Sequence, residues 1–332
     1  MRPHWALALA LTGSVGCDLH PTNNDRGGAI NLARSGDWLL VARGTAGLDV
    51  VRASSGEVVQ HLDPSDSLDS YDDVSGSAGL FVALDADDGR LASFSLDAEG
   101  KAALADERDV PSGPYSGVSL AGGRAVVSGG TCAITLLDLA ADGTLTWREE
   151  LEAFRGQPDV TLFPAGRGAL LSTHFSGAED EYVDGQEFGV SALDFDPLVI
   201  RDTAGLAGAG FTDGGGTPAS WPVRAAIRED LAVVAHGGGL DLLSASVWRL
   251  APLAHVELPG PGVDVAIEGS RAYALTVTPA RVVVVDLSIA SRPVVAAELE
   301  LDGPDEGWTA IALSADRIYV AHDTDGVTAL VR

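Results

Sequence analysis

The feature that most constrains this chain is a structural unit that recurs along most of its 332 residues. Each unit contains a short apolar run, such as residues 231–235 of the fifth unit. A turn and a second run follow it, such as residues 282–286 of the sixth unit. The ends of these second runs form a column with spacings of 41–56 residues: Arg52, Asp97, Asp138, Asp194, Ser244, Asp286 and Val331. No window carries the i, i+3, i+4, i+7 apolar spacing of an amphipathic helix. The chain is therefore predicted to be all-β and built from seven copies of one unit.

A repeat of this length with four short strands per unit is typical of a β-propeller. A lone four-stranded sheet cannot bury both faces, so such sheets pack as blades around an axis and leave only short edges exposed. We predict a single seven-bladed propeller over residues 28–332, with four-stranded antiparallel blades whose first strands, such as residues 265–267, line the central channel. The last unit has three strands before Arg332, so either residues 18–27 supply a fourth or the blade has three.

The N-terminal residues carry a targeting pattern. A short polar start precedes the apolar stretch 5–11, which is too short to cross about 30 Å of hydrocarbon, and small residues follow it. Cys17 after Gly16 resembles the lipobox of bacterial lipoproteins, although Ser14 stands where those proteins usually have leucine. The resemblance implies a signal peptide over residues 1–16, cleavage before an acylated Cys17, and a tether over 17–27. The alternative is ordinary secretion, with cleavage nearby and no role for Cys17.

A second resemblance lies late in the chain. Residues 281–288 read Arg-Val-Val-Val-Val-Asp-Leu-Ser, Pro293, Val294 and Val295 follow, and residues 239–243 form a weaker echo. These segments resemble the LVIVD-repeat propellers of bacterial surface proteins, which are mostly uncharacterised. The resemblance implies the propeller fold and a location in the cell envelope, and it carries over no catalytic residue.

The net charge of the chain argues against two classes of partner, nucleic acids and anionic membrane surfaces. It has 48 Asp and Glu against 21 Lys and Arg, a net charge of −27, which repels nucleic-acid phosphates and anionic lipid surfaces. We therefore expect no nucleic-acid partner, and membrane contact only through a lipid anchor. The two cysteines, Cys17 and Cys132, are too few for a disulfide framework or a four-thiolate metal site. No zinc-protease, nucleophile-elbow, Cys-x-x-Cys or EF-hand motif occurs, which favours a non-enzymatic protein.

Two groups of side chains are candidate metal ligands. His174, His236 and His322 fall at the same place in three units, either as a metal or acid–base cluster or as turn residues that recur with the repeat. The second group is a dense acidic segment: Glu179, Asp180, Glu181, Asp184 and Glu187. Such carboxylates suit Ca²⁺, which takes about 6–8 oxygen ligands, but solvated carboxylates are also expected in a chain this acidic. Apart from this Ca²⁺, no cofactor is predicted.

A third group lies where the innermost strands begin, at the predicted mouth of the channel. It interleaves aromatic and charged residues: Tyr71, Asp73, Tyr115, Asp159, Trp221, Arg224, Asp264 and Trp308. Aromatic faces would supply contact area for a sugar or a cationic ligand, and carboxylates would orient it. Alternatively, the aromatic residues wedge between blades and the aspartates close turns. The hypothesis depends on strand register, because a slip of one residue turns every side chain to the opposite face.

Two functions from different classes follow. The first is an exported, monomeric cell-envelope propeller that binds a protein or glycan on one face, where insertions fall at residues 175–187 and 206–220 of the fourth unit. The second is a metal-dependent hydrolase or lactonase. Propeller enzymes of that type resemble this architecture and hold a divalent cation through carboxylates at the channel mouth, the place of Asp73, Asp159 and Asp264, where it activates water.

Overall fold

The computed structural model describes residues 28–332 with gaps at 65–67, 78, 87, 111–114, 130–132, 153–156, 175–187 and 207–222. Every regular element of the described residues is a β-strand, and the strands form seven antiparallel sheets in chain order. Six sheets have four strands and the last has three. The predicted seven-bladed all-β propeller is confirmed, with a three-stranded last blade in the described residues. In this part of the chain no helix is long and apolar enough to cross a bilayer.

Each blade begins with the strand nearest the channel. These innermost strands are β1 (Asn31–Ser35), β5 (Asp73–Ser77), β9 (Tyr115–Ala121), β13 (Gln157–Leu162), β17 (Arg224–Arg228), β21 (Gly262–Glu268) and β25 (Trp308–Leu313). The second strands are β2 (Trp38–Ala42), β6 (Leu80–Asp85), β10 (Arg124–Gly129), β14 (Gly168–His174), β18 (Leu231–His236), β22 (Arg271–Thr276) and β26 (Arg317–His322). The third strands are β3 (Leu48–Arg52), β7 (Arg90–Leu96), β11 (Ala133–Leu139), β15 (Phe188–Phe195), β19 (Gly239–Ser246), β23 (Arg281–Asp286) and β27 (Gly326–Val331). The outermost strands are β4 (Glu57–Leu62), β8 (Ala102–Asp109), β12 (Leu145–Glu152), β16 (Leu198–Gly205), β20 (Arg249–Val256) and β24 (Val294–Glu300).

The hydrophobic core of the described residues is divided among the interfaces between blades. Seven buried clusters occur, and each joins one pair of neighbouring blades. The second strands are covered on both faces, which is why β2 and β18 are buried at every position and read as continuous apolar runs. The outermost strands have less cover, and β24 is exposed along most of its length.

Blades 7 and 1 close the ring. Leu39 and Val41 of blade 1 share a buried cluster with Tyr319 and Ala321 of blade 7. The Ala29 amide, just before β1, donates a hydrogen bond to the carbonyl of His322 at 2.8 Å. The described strands thus bring the first and last blades into direct contact.

The repeat column predicted from the sequence is confirmed at six of its seven positions. Those six residues each pair with the first residue of the second strand: Arg52, Asp138, Asp194, Ser244, Asp286 and Val331. In blade 2 the equivalent residue is Ser95, which pairs with Leu80, so the assignment of Asp97 to the column was wrong. The Asp97 carboxylate accepts the amides of Glu99 and Lys101 at 3.0 and 2.7 Å. Asp closes turns in this way, which is why it imitated a strand end.

Candidate functional site

One residue of each innermost strand stands at the same height around the channel, opposite the fifth residue of the second strand. We call these residues the channel ring: Asn31, Asp73, Gly117, Asp159, Arg224, Asp264 and Ala310. All of them except Gly117 line a cavity of about 190 Å³ at the beginning of the innermost strands. The channel ring is therefore the polar mouth of the channel.

Asp73 joins three consecutive blades through its carboxylate. One oxygen accepts the Val74 amide at 2.8 Å and the side-chain amide of Asn31 in blade 1. The other oxygen accepts the Val118 amide of blade 3 at 2.6 Å. Innermost strands are sheet edges whose outward amides have no strand partner, so a carboxylate placed here satisfies donors that would otherwise stay unpaired.

Asp264 repeats this arrangement between blades 6 and 7. Its carboxylate accepts the amide of Val265 at 2.8 Å and that of Ile311 in the next blade at 2.7 Å. The ring position of the next blade is small in both cases, Ala310 after Asp264 and Gly117 after Asp73. A short side chain there leaves room for the carboxylate of the preceding blade to reach across.

Gly117 also brings two carboxylates from different blades close together. A β-carbon at this position would lie 2.9 Å from an Asp159 oxygen and 3.1 Å from an Asp73 oxygen. Both distances are too short for an unstrained contact, so a larger residue would displace at least one carboxylate. The glycine is thus required for the carboxylates of blades 2 and 4 to lie over blade 3.

Arg224 is the single positive charge of the channel ring. Its guanidinium donates to Asp159 at 2.7 Å, and the two side chains are 28% and 16% exposed. Asp159 raises the pKa of Arg224, so the guanidinium stays charged. The ring therefore carries three carboxyl groups against one permanent cation.

Burial makes these carboxyl groups weak acids. It raises the pKa of Asp73 to about 7 and that of Asp264 to about 6, although Arg224 acts in the opposite direction on both. Burial also raises the pKa of Asp159. The ring consequently becomes more negative as the pH rises from about 6 to 7.

The structure gathers four of the eight predicted ligand-binding residues into one site. Asp73, Asp159, Arg224 and Asp264 all line the cavity, so the register on which the prediction depended holds at these positions. The register could be found from the sequence because the repeat places each charged residue directly before an apolar run. Asn31, Gly117 and Ala310 were missed, since these three blades have an uncharged residue at the ring position.

The two predicted aromatic residues whose side chains are described, Tyr71 and Trp308, do not line the channel mouth. Tyr71 is 3% exposed and packs near Phe94 in the cluster between blades 1 and 2. Trp308 is 4% exposed between blades 6 and 7, and its Nε1 donates to the Pro304 carbonyl at 2.8 Å. Both are wedges between blades, so placing them on an aromatic–acidic surface was wrong. The side chains of Tyr115 and Trp221 lie outside the described residues.

The predicted histidines do not form one cluster. His236 and His322 take equivalent positions at the ends of β18 and β26, and Nδ1 of each accepts a turn amide, from Gly238 at 3.0 Å and from Asp325 at 3.1 Å. Nε2 of His322 donates to the Glu306 carbonyl within its own blade at 2.9 Å. Both imidazoles therefore accept turn amides, as the turn interpretation predicted, and the two lie in different blades. The side chain of His174 is not among those described, and neither are Cys17 and the acidic residues of 175–187.

Two long connections have their described ends at the level of the channel ring. The first joins β14 to β15 across residues 175–187, and it starts at His174, the partner of the first residue of β13. The second joins β16 to β17 across residues 206–223 and ends at Arg224 in the ring. Of the insertions predicted in the fourth unit, residues 175–187 and 207–220 lie outside the described residues.

Comparison with known proteins supports the fold alone. No protein-family model matches the chain, and no curated protein matches it in sequence. Among solved structures, it is similar to a chain of the mitotic checkpoint complex, with 12% identity, a TM-score of 0.70, and coverage of 92% of this chain and 89% of that one. It is also similar to a protein from Lactobacillus plantarum, with 13% identity, a TM-score of 0.62, and coverage of 91% and 88%. At these identities the likeness establishes the seven-bladed propeller and no activity.

Proposed function

We propose that this protein is a non-enzymatic binding protein of the cell envelope, and that it recognises a protein partner through a basic side chain inserted at the channel ring. The observation that carries the proposal is the convergence of three carboxyl groups, of the buried Asp73 and the half-buried Asp159 and Asp264, on one cavity with a single arginine. A buried carboxylate without full compensation is unfavourable, and the raised pKa values of Asp73 and Asp264 express this cost. A second cation bound beside these carboxylates would reduce the cost of their burial.

The size of the cavity favours a side chain over a sugar. Its volume of about 190 Å³ is below the ~300 Å³ at which pockets for small organic ligands begin. Stacking on a sugar ring also needs exposed aromatic faces, and Tyr71 and Trp308 are buried. An alkyl chain that ends in an ammonium or guanidinium group matches both the narrow cavity and its charge.

The hydrolase hypothesis uses the same carboxylates but fits the charges less well. A catalytic divalent cation would have to share the ring with the Arg224 guanidinium, which is bound to Asp159 at 2.7 Å. The two positive charges of such a cation would repel the guanidinium. The Asp159 carboxylate would also be divided between the cation and Arg224, and would compensate neither fully. We therefore place the binding function first.

Binding of short peptides tests the proposal. We expect a capped Gly-Gly-Arg-Gly-Gly peptide, or its lysine counterpart, to bind at pH 8 and to bind about tenfold more weakly at pH 5, where Asp73 and Asp264 are protonated. Asp264→Asn should weaken binding by about tenfold or more, since it removes one carboxylate. Isothermal titration calorimetry measures each affinity.

Matched controls make the experiment decisive. The glutamine version of the peptide should not bind, and Asp97→Asn, an equal substitution in an exposed turn, should leave binding unchanged. Failure of both basic peptides to bind at millimolar concentration would overturn the proposal. Tight Ca²⁺ binding that Asp264→Asn abolishes would overturn it in favour of the hydrolase.

We also propose that the protein is exported and anchored through an acylated Cys17. The lipobox-like segment before Cys17 and the LVIVD-like segment 281–295 support this location. In a bacterial host, labelled palmitate should enter the wild-type chain and not Cys17→Ser, with Cys132→Ser as the control that keeps the label. Equal labelling of wild type and Cys17→Ser would disprove the anchor.

A further inference from the structure

We propose that blade 5 holds a first-row transition-metal ion of the Zn²⁺ class, bound by His236, Asp241 and His255. We call these residues the blade 5 triad. One ligand atom from each lies within 4.8 Å of the others, and no other group of three potential ligands in the described part of the chain is this compact. The inference does not depend on the proposed function, because none of the triad belongs to the channel ring.

Three strands of one sheet bring the triad together. His236 ends β18, Asp241 lies in β19 opposite Val234, and His255 lies in β20 directly opposite Asp241. The Asp241 oxygens stand 2.7 Å from Nδ1 of His255 and 3.4 Å from Nε2 of His236. Metal–ligand bonds of about 2.0–2.1 Å place tetrahedral ligands roughly 3.3 Å apart, so small adjustments of this group would enclose an ion.

Blade 1 contains the same arrangement with one of the three residues replaced. Asp49 and His61 occupy the positions of Asp241 and His255 in the strand pairing, with a distance of 2.6 Å between Nδ1 and the carboxylate. The residue that follows the fifth position of the second strand is Arg43 in blade 1 and His236 in blade 5. The Arg43 guanidinium donates to Asp49 at 2.7 Å. The buried carboxylate of blade 1 therefore has a permanent cation, and that of blade 5 has an imidazole.

The second observation is the state of His236 itself. Its side chain is 1% exposed, and Nε2 makes no hydrogen bond although it points towards Asp241. A buried nitrogen without a bond is costly and calls for an explanation, such as an ion that is bound there. His255 is 27% exposed, which gives the site an approach from solvent.

The protons balance without an external donor or acceptor. Each neutral imidazole carries one proton, and on metal binding it moves to the nitrogen that faces away from the ion. For His236 this is Nδ1, which now accepts the Gly238 amide at 3.0 Å. Gly238 is half-buried, so its amide can bond to water instead. For His255 the proton moves to Nε2, so no proton has to leave either imidazole.

The ligand set determines the class of ion. Two imidazoles and one carboxylate suit Zn²⁺, Co²⁺ and similar ions, whereas Ca²⁺ and Mg²⁺ prefer oxygen ligands alone. Three protein ligands leave a fourth tetrahedral position, which water would fill.

Metal titration of the full, untagged chain tests the site. After dialysis against a chelator, we expect about one Zn²⁺ to bind per chain and to raise the melting temperature, and Co²⁺ to give visible absorption of a tetrahedral centre. His236→Arg copies blade 1, so it should preserve the fold and lower Zn²⁺ affinity more than about 100-fold.

Two further variants keep the result interpretable. His255→Gln should also remove binding, and it replaces His236→Arg if that variant does not fold. His61→Gln, the same change in blade 1, should leave Zn²⁺ affinity unchanged. Absence of Zn²⁺ binding by wild type, or binding that survives both blade 5 variants, would overturn the proposal.

Discussion

Replacing Arg224 by methionine is expected to lower the free energy of unfolding by about 3 kcal/mol at pH 8 and by much less at pH 4. Breaking a buried ion pair on one side typically costs ~3–5 kcal/mol, and the lower end applies because more than a quarter of the Arg224 side chain is exposed. At pH 8 the variant leaves three carboxylates around the cavity without their cation. Urea denaturation at both pH values measures the difference.

The sign of the pH dependence follows from the direction of the pKa shifts. A carboxyl group whose folded pKa lies above its unfolded value near 3.8 binds protons more tightly in the folded state, so its stabilising contribution is lost as the pH rises. In wild type this loss runs up to about pH 7 for Asp73 and about pH 6 for Asp264. Removal of Arg224 raises both pKa values further and steepens the loss.

An equal substitution outside the channel provides the control. Arg249 is exposed at the start of β20, so Arg249→Met should change the free energy of unfolding by no more than about 0.5 kcal/mol at either pH. Arg224→Met should also bind the basic peptides more tightly, since it leaves the ring more negative. A variant as stable as wild type at pH 8 would show that Arg224 does not compensate the carboxylates.

Replacing Trp308 by alanine is expected to cost about 3–5 kcal/mol of stability, because the side chain fills the interface between blades 6 and 7. It also removes the hydrogen bond to Pro304 and an edge-on contact with His322, whose ring centroid lies 4.8 Å away. Thermal and urea unfolding measure the cost. Binding of the basic peptides by the folded fraction should be unchanged, since Trp308 does not line the cavity.

Trp248 is the matched control for this substitution. Its side chain is 62% exposed, and the Arg201 guanidinium lies over the ring, 4.6 Å from the ring centroid. Trp248→Ala should therefore cost no more than about 0.5–1 kcal/mol. If Trp308→Ala instead kept wild-type stability and lost peptide binding, Trp308 would belong to the ligand site after all.

Most of the architecture could be predicted from the sequence because a repeat multiplies a weak signal. One short apolar run is ambiguous, whereas seven runs at similar spacing, each followed by a turn, indicate blades. The same periodicity set the register at the channel, and it placed Asp73, Asp159, Arg224 and Asp264 correctly. It failed at Asp97, where an aspartate that closes a turn imitated one that ends a strand.

The aromatic residues show what the repeat pattern alone does not predict, which is the direction of a side chain at the channel mouth. Tyr71 lies just before an innermost strand and Trp308 begins one, as a residue at the channel mouth would, but their side chains pack between the blades. Whether a side chain at such a position points to the channel or to the neighbouring blade depends on the space that the neighbour leaves. That space depends on how two blades pack together, so it cannot be predicted from the sequence of either unit alone.

The sequence by itself determined the strand periodicity, the number of blades and the level at which charged residues meet the channel, because all three follow from local alternation of apolar and polar residues. Only the tertiary structure decided which side chains meet. Gly117 lets the Asp73 and Asp159 carboxylates approach each other, Arg224 pairs with Asp159, and His236 faces Asp241 where blade 1 has Arg43. The physical reason is that the channel contacts join residues of different blades, whereas His236 and Asp241 lie on neighbouring strands of one sheet. Closure of the ring sets the first distances, and strand pairing sets the second.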